Sequence, residues 1–367
     1  MYDRENIKTY FDHIIVGQGL AGSCLALQLA RQGKKILVFD EPGKNRASAV
    51  AAGLFNPITG KFLKPAWMAD RIFPYLFDFY REAEKLLGHK FFFPQPIYRP
   101  FVSIEEQNEW MARSEDPGLK KLIAAVFTQS TFSNQVNDPF GGVLTQQSGY
   151  LDTTMFMRTV AEFLEKRDAL RREFFDPGKL IVGDEKVSYE NCESSQVIFC
   201  DGLSHKTNSF FTWLPIRPLK GETLTLTLEQ SPLAIFNRGV YMVPTKKESE
   251  FLVGATHHPG DLTEGVTPQS RLELDEKVKG LIRIPYRITH QNWGMRPTTP
   301  DRRPILGGHP EFKKLIIFNG LGTKGVSLGP YFSGLLAAWL EGQSEIPFET
   351  NIERFKSLYS KFSFAKL

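Results

Sequence analysis

The sequence predicts an α/β fold in which a discontinuous, Rossmann-like domain is joined to an α+β domain with an antiparallel sheet. Apolar strands that end in glycine or an acid occur near both ends of the chain, and glycine-rich turns follow them. Between them, residues 223–228 alternate polar and apolar side chains, as an antiparallel strand with one solvated face does. The elements that support this prediction follow in chain order.

Size and composition indicate an ordinary globular chain. Its 367 residues allow about two domains, at roughly 150 residues each. Hydrophobic residues make up 41% and charged residues 23%, which excludes collagen-like and fully disordered chains. With 45 basic and 41 acidic side chains, the balance is too mild to indicate a nucleic-acid partner. Three scattered cysteines favour neither a disulfide framework nor a metal site, so we expect a reducing compartment.

No targeting segment is apparent. The first ten residues are polar and lack the apolar region of a signal peptide. No stretch reaches the roughly 18–20 apolar residues of a membrane-spanning helix. We therefore expect a soluble, cytoplasmic protein without a transmembrane segment, and nothing in the residues indicates its oligomeric state.

A β-α-β unit is predicted at the start of the chain. Residues 13–16 are an apolar strand that ends in glycine, and a helical pattern then continues to Gln32. Gly33 lies where a glycine commonly terminates a helix. A second apolar strand, residues 36–39, ends at Asp40. Such a unit is typical of nucleotide-binding domains.

The turn between this strand and helix carries the motif Gly17-x-Gly19-x-x-Gly22, with Leu20 and Ala21 inside it. Gly17 permits the tight turn, Gly19 lets backbone approach a pyrophosphate, and Gly22 lets helix and strand pack closely. The helix N-terminus then presents N–H donors and partial positive charge to the phosphates. The alternative is a plain strand-to-helix turn, but the accompanying elements favour dinucleotide binding.

The acids that end the second strand are candidates for ribose binding. Asp40 can accept two hydrogen bonds from ribose hydroxyls. Glu41 is a second candidate, although its side chain should point to the opposite face. Neither acid distinguishes NAD from FAD.

Further elements predict how the domains are divided. We expect helices over residues 69–88, 105–113 and 153–174, and buried strands over residues 197–200 and 315–318. The expected nucleotide domain comprises 11–88, 147–210 and 290–345, the substrate domain 89–146 and 211–289, and the C-terminal tail 346–367.

A second glycine-rich loop, residues 319–327, favours FAD. It follows a buried strand and opens an apolar helix, whose N-terminus can stabilise negative charge at the pyrimidine end of a reduced flavin. Lys324 either adds a full positive charge there or is a solvated loop lysine. The small residues 48–53 would let backbone pass over pyrophosphate and ring, with the Ser48 hydroxyl on phosphate; the alternative is a tightly packed helix start.

Five blocks in this order resemble the FAD-dependent D-amino-acid oxidase and glycine oxidase (DAO) family. They span residues 13 to about 340 and are HIIVGQGLAGSCLALQLARQGKKILVFDE, ASAVAAGLFNP, YMVP…FLVGATHHPGD, WGMRPTTPDRRPILG and FNGLGTKGVSLGP. The resemblance implies a flavin domain and a substrate domain with an antiparallel sheet. It also implies oxidation of a carbon that bears an amine, usually next to a carboxylate.

The resemblance further implies roles for single residues. Arg296 matches the arginine that pairs with the substrate carboxylate, and Tyr241 matches a pocket tyrosine near that carboxylate. His257 falls at a position that lines the substrate side. Matches to positions near FAD are Gly17, Gly19, Gly22 and Asp40 at the ADP part, Ser48, Ala52 and Gly53 near pyrophosphate and ring, and Gly322, Thr323, Lys324 and Gly325 at the pyrimidine end. Thr323 departs from the pattern, since some amino-acid oxidases carry a basic residue there.

Each candidate in the substrate pocket has an alternative interpretation. In the alternative interpretation, Arg296 forms a structural ion pair with Asp301, which is close in the sequence. Tyr241 would be an ordinary strand aromatic. His257 is a candidate general base, and the alternative is a pocket-lining or core histidine. The planar guanidinium of Arg296 can bind a substrate carboxylate in two hydrogen bonds, which favours the substrate-binding interpretation. No protein base need accept the Cα proton.

Three functions remain open at this point. The first is FAD-dependent oxidation of a small amino acid or related amine to an imine, with a small molecule as the only partner. The second is a flavin dehydrogenase of 2-hydroxy acids or a polyol phosphate, with electrons passing to an acceptor other than oxygen. The third is a flavoprotein related to tRNA modification.

Overall fold

The protein is described by a computed structural model over residues 8–41, 47–59 and 64–364. Its helices in chain order are α1 Leu20–Arg31, α2 Ala47–Val50, α3 Ala69–Leu87, α4 Ile104–Arg113, α5 Pro117–Lys120, α6 Thr153–Glu165, α7 Pro268–Leu281, α8 Gly325–Leu340 and α9 Lys356–Phe364. Its strands are β1 Thr9–Val16, β2 Ile36–Phe39, β3 Leu54–Phe55, β4 Ile58–Thr59, β5 Lys64–Pro65, β6 Phe92–Pro94, β7 Ile97–Pro100, β8 Ile123–Phe127, β9 Gly142–Thr145, β10 Gly149–Leu151, β11 Leu170–Arg171, β12 Ile181–Val182, β13 Val187–Tyr189, β14 Cys192–Phe199, β15 Arg217–Leu228, β16 Ile235–Arg238, β17 Val240–Pro244, β18 Glu250–Gly254, β19 His258–Pro259, β20 Tyr286–Thr298, β21 Ile305–Gly308 and β22 Leu315–Asn319.

One sheet has a parallel centre. Strand β1 lies between β2 and β14, β11 runs parallel to β2 and β22 runs parallel to β14, and β21 pairs antiparallel with β22. Ile14 and Ile15 are fully buried although they point to opposite faces, because helices α1, α3, α6 and α8 cover one face and the segment around Phe211 covers the other. A parallel sheet buried on both faces accounts for the continuous apolar runs in the sequence.

A second sheet is mainly antiparallel. It runs β19-β15-β18-β17-β16-β7-β9-β8, and β20 pairs with β15 along most of its length. On one face, Leu224 and Leu226 pack with α7. The predicted α/β class with an antiparallel second part is therefore confirmed.

The expectation of a solvated face on β15 is wrong. Thr223 and Thr225 are only 2% and 9% exposed. Helix α2 packs against the neighbouring strand β20, where a Cβ added at Gly294 would lie 3.5 Å from Cβ of Val50. The alternating pattern predicted the strand correctly, but contact with other parts of the chain buries its polar face.

The helix expected over residues 153–174 is shorter than predicted. Helix α6 begins at Thr153, where Asp152 caps it by accepting a hydrogen bond from Met155 N at 2.8 Å, and it ends at Glu165. Asp168 then adopts a left-handed conformation with φ of 52°, and β11 adds to the edge of the parallel sheet beside β2. Charged residues with helical propensity were thus overridden by strand pairing.

The domain boundaries remain a prediction. Residues 290–298, expected in the nucleotide domain, belong to β20 and pair with β15 in the antiparallel sheet. The first seven residues, taken to lack a signal peptide, and the last three of the expected tail lie outside the described residues. In the described part of the chain, no helix is both long enough and apolar enough to cross a bilayer.

Removing the Phe156 ring should destabilise the protein. This fully buried ring meets Tyr80 and Phe91 edge-on, at centroid distances of 5.4 and 5.3 Å. We expect Phe156→Ala to lower the free energy of unfolding by about 3–5 kcal/mol, through lost burial and the cavity left behind. Urea denaturation measures this, with Leu233→Ala, at a side chain 73% exposed, as control. Equal midpoints for the two variants would contradict the packing described.

Candidate functional site

Two helix N-termini line one cavity of about 620 Å³. Helix α1 follows β1 in the parallel sheet, and α8 follows β22 two strands away. The helices are packed closely, since a Cβ at Gly329 of α8 would lie 3.2 Å from Cys24 Sγ of α1. Partial positive charge from both N-termini is therefore directed to one side of the sheet.

The first glycine turn depends on the absence of side chains. Gly17 has φ of +96°, and a Cβ there would lie 2.7 Å from the carbonyl oxygen of Cys200. A Cβ at Gly22 would overlap the carbonyl oxygen of Gly17. Gly17, Gly19, Leu20 and Ala21 line the cavity, whereas Gly22 supports the turn from behind. The two glycines thus have the conformational and packing roles that the motif predicts.

The acids lie at one end of the cavity. Asp40 and Glu41 both line it, and Asp40 is 6% exposed. Oδ1 of Asp40 accepts a hydrogen bond from the backbone N–H of Gln18 at 2.8 Å, which holds the carboxylate beside the glycine turn. The arrangement fits the predicted ribose contact of Asp40.

Ser48 lies at the N-terminus of α1. Its Oγ accepts a hydrogen bond from Leu20 N at 3.2 Å, and it lines the cavity together with Ala52 and Gly53. Ser48 also belongs to the short helix α2, and its contact with a pyrophosphate remains a prediction. At the far loop, Gly322, Thr323 and Gly325 line the same cavity.

Arg296 extends from β20 over the face of the sheet where Gly221 leaves room. A Cβ at Gly221 would collide with the guanidinium, and Tyr241 lines the same cavity from β17. Among the described residues, no carboxylate lies within 4.0 Å of Arg296 to form an ion pair; Asp301 pairs instead with Arg354 at 3.1 Å. The structural ion pair considered for Arg296 therefore does not form with Asp301.

Burial and mutual proximity shift the pKa values of Arg296 and Tyr241. Burial lowers the pKa of Arg296, and burial raises the pKa of Tyr241, while each charged form favours the other. Tyr241 therefore keeps its proton at neutral pH and has an O–H to donate. A cationic guanidinium beside a phenol O–H suits a carboxylate ligand.

His257 lies at the wall of the same cavity with an exposed side chain. Its pKa is lowered by partial burial and by the nearby charges of Arg296 and Arg302. The imidazole is thus neutral at pH 7. Because the side chain is exposed, the alternative of a core histidine is excluded.

Lys324 does not line the first cavity. It lines a second one, of about 800 Å³, which adjoins the first at Leu54, Tyr241 and Thr323. Burial of the ammonium group and the charge of Arg302 both lower the pKa of Lys324.

Sequence reasoning missed Asp201, which also lines the first cavity. Its carboxyl oxygens accept hydrogen bonds from Asn319 Nδ2 at 3.0 Å and Asn208 Nδ2 at 3.3 Å. Burial nevertheless raises the pKa of Asp201 to about 7. The signal was present, because Asp201 follows strand β14 as Asp40 follows β2, and both strands neighbour β1.

The residues present fit a dinucleotide such as FAD. Gly17 and Gly22 leave no room for a side chain, so backbone at the start of α1 lines the cavity directly, with Leu20 N donating to Ser48 Oγ. Buried Asp40 lines this cavity, as do Arg296 and Tyr241. Among the described residues, no group of three or more His, Cys, Asp or Glu side chains could hold a metal ion.

Comparisons with known proteins point in the same direction. A family model described as DAO, FAD dependent oxidoreductase, matches residues 12–339. Glycine oxidase of Bacillus subtilis (strain 168) is 23% identical over 363 residues, covering 90% of this chain and 93% of the relative. The bifunctional protein ThiO/ThiG of Trichormus variabilis is 24% identical over 381 residues, covering 96% of this chain but 55% of that protein, so the chain spans about half its length.

Solved structures share the fold. Iminodiacetate oxidase from Chelativorans sp. BNC1 superposes with a TM-score of 0.78 at 21% identity, covering 92% of this chain and 97% of the other. L-proline dehydrogenase from P. horikoshii has a TM-score of 0.75 at 14% identity, with 95% and 99% covered. At these identities the likeness concerns the fold.

The proton on Asp201 should make stability depend on pH. The folded carboxyl, with a pKa of about 7 against an ordinary 3.8, binds a proton over a range where the unfolded one has lost it. Its contribution to stability is therefore present below about pH 4 and is lost as pH rises through about 7. Relative to Asp201→Asn, the melting temperature of the FAD-free protein should fall over this range.

Asp184→Asn, at an exposed carboxyl, is the matched control and should follow the wild-type curve. Comparing melting curves at each pH cancels the contributions of the other carboxyls. Parallel curves for wild type and Asp201→Asn would show that Asp201 ionises normally.

Proposed function

Because the chain belongs to the DAO family of FAD-dependent oxidoreductases, we propose that it oxidises a small amino acid or related amine at the carbon between nitrogen and carboxylate. The family match confirms the resemblance seen in the sequence and FAD as the cofactor. The observation that carries the substrate class is Arg296 beside Tyr241, without a carboxylate partner among the described residues, in the cavity that the two helix N-termini line.

The cofactor-holding residues are assigned by their place in the cavity. Backbone donors at Gly19, Leu20 and Ala21, with the Ser48 hydroxyl, would hold the pyrophosphate. Asp40 would accept from ribose hydroxyls, and the start of α8 would hold the pyrimidine end. FAD held in this way would supply the acceptor for a hydride equivalent from the substrate carbon.

Arg296 and Tyr241 orient the substrate. The guanidinium binds the carboxylate in two hydrogen bonds, and the Tyr241 O–H donates a third. Gly221 keeps the guanidinium seated against the sheet, so that the carbon bearing the amine is held in one position. Such positioning contributes a large part of the rate in reactions whose chemistry a cofactor supplies.

The proton balance requires no basic side chain. The substrate nitrogen must be neutral; it loses a proton and the carbon loses a hydride, which leaves a C=N double bond. Water then hydrolyses the imine to a carbonyl compound and an amine or ammonia. Neutral His257 lines this cavity without adding a charge that would repel an ammonium group.

The decisive experiment uses the FAD-loaded protein in the absence of oxygen. Small amino acids and secondary amines should bleach the visible flavin spectrum. Bleaching by 2-hydroxy acids or glycerol phosphate alone would favour the dehydrogenase alternative, because a guanidinium binds the carboxylate of the former or the phosphate of the latter equally well. Salt-sensitive tRNA binding without bleaching by any small molecule would favour the third function.

Removing the guanidinium should abolish substrate binding but leave the cofactor in place. We expect Arg296→Met to lower kcat/KM by about 100-fold or more, because a buried carboxylate would lose its charged partner. Arg296→Lys should recover part of the loss, since it keeps the charge but not the planar fork. Arg287→Met removes an exposed arginine from the same strand and should be neutral. Unchanged kinetics with bound FAD would exclude Arg296 from the site.

Gly221→Ala tests the same geometry without touching a charge. The added methyl must displace the Arg296 guanidinium, so we expect kcat/KM to fall about 10- to 100-fold. Gly280→Ala in α7, where an added Cβ meets no atom within 4 Å, is the matched control. Steady-state kinetics and the flavin spectrum together measure the effect. A Gly221→Ala enzyme with wild-type kinetics would refute this seat for Arg296.

A further inference from the structure

The second cavity extends the first at the proposed reaction site. Tyr241, Leu54 and Thr323 line both, so the two spaces meet where the substrate carboxylate is expected. A volume of about 800 Å³ accommodates a substantial part of a small molecule. A substrate held by Arg296 can therefore extend into this second space.

Positive side chains dominate the wall of the second cavity. One carboxylate, Asp301, lines it in the described part of the chain, against five cations: Arg99, Arg238, Arg302, Arg303 and Lys324. The cations come from β7, β16, the loop between β20 and β21, and the turn before α8. Their convergence is a product of the tertiary fold.

Internal carboxylates balance only part of this charge. Glu106 forms ion pairs with two arginines, with Arg99 at 3.2 Å and with Arg238 at 2.7 Å. Asp301 is directed to Arg354, at 3.1 Å, which does not line the cavity. Two carboxylates thus face three arginines already in these contacts.

Arg302 and Lys324 add to the excess. Neither has a carboxylate within 4.0 Å in the described part of the chain. Both line the second cavity, and burial together with repulsion from Arg302 lowers the pKa of Lys324. Arg303 packs its guanidinium 5.1 Å from the centre of the Trp67 ring. A bound anion would relieve the repulsion between these like charges.

We infer that the amine substrate carries a second anionic group, which binds in the second cavity between Arg238, Arg302 and Lys324. This inference rests on the proposed oxidation beside Arg296 and deepens it. The first carboxylate fixes the reacting carbon, and the second group, a carboxylate or a phosphate, fixes the remainder of the molecule. Cations at both ends would select a diacid over a simple amino acid.

Direct binding tests the subsite without requiring turnover. Glutarate and butyrate lack an amine, and glutarate has one further carboxylate. Calorimetric titration into the FAD-loaded protein should give glutarate an affinity about tenfold or more above that of butyrate, as a charge-assisted contact provides. Arg302→Gln should remove most of the difference. Arg287→Gln, at an exposed arginine outside both cavities, should keep it.

Turnover tests the substrate class. Anaerobic flavin reduction is compared for matched pairs, both enantiomers where they exist: glutamate with glutamine, aspartate with asparagine, and iminodiacetate with sarcosine. The acid of at least one pair should react about tenfold faster at limiting concentration, and Arg302→Gln should reverse this preference. O-phosphoserine against serine shows whether the second group is phosphate rather than carboxylate.

The results separate this inference from the proposed function. Equal affinity for glutarate and butyrate, with neutral amines bleaching the flavin as fast as diacids, overturns the subsite and leaves amine oxidation intact. Glutarate binding that depends on Arg302, with no amine bleaching the flavin, supports the anion subsite and overturns amine oxidation. A diacid preference that survives in both Arg302→Gln and Arg302→Gln/Arg238→Gln also overturns the assignment.

Discussion

The close approach of α1 and α8 is the constraint on which the rest of the site depends. Both helices follow strands of the parallel sheet and begin at the same cavity, and they can do so because Gly329 lies against Cys24 and Gly22 against Gly17. Any side chain at Gly22 would force the turn away from its helix. The dipoles of two helices therefore act on one cavity.

The opposite wall is built on a different principle. Strands β15 and β20 pair side by side, and Gly221 has no side chain. The Arg296 guanidinium packs into the space that this leaves on the sheet. The cost of burying this cation would be offset by a bound carboxylate. Backbone dipoles and the full charge of Arg296 thus line the same cavity.

Much of this was visible in the sequence, for a local reason. The glycine motif, the strand that ends in Asp40 and the loop before α8 are each encoded by consecutive residues. The predictions that were wrong or missing depended on contacts between distant segments. They concern the burial of the Thr223 face, the early end of α6 and the position of Lys324 beside Arg302. The cationic cavity could not be inferred from a net charge of +4, because its arginines come from separate strands and loops.

Arg354 has a consequence for how the protein is handled. From the segment after α8, it donates to Asp301 and to the carbonyl oxygens of Arg303 and Pro304, at 3.0 to 3.2 Å. Arg354, which lies far downstream in the sequence, thus holds the loop that carries Arg302 in place. Shortening the chain before Arg354 would therefore release the loop that carries Arg302, and it would also remove Tyr359, whose ring centre lies 5.1 Å from that of Trp213.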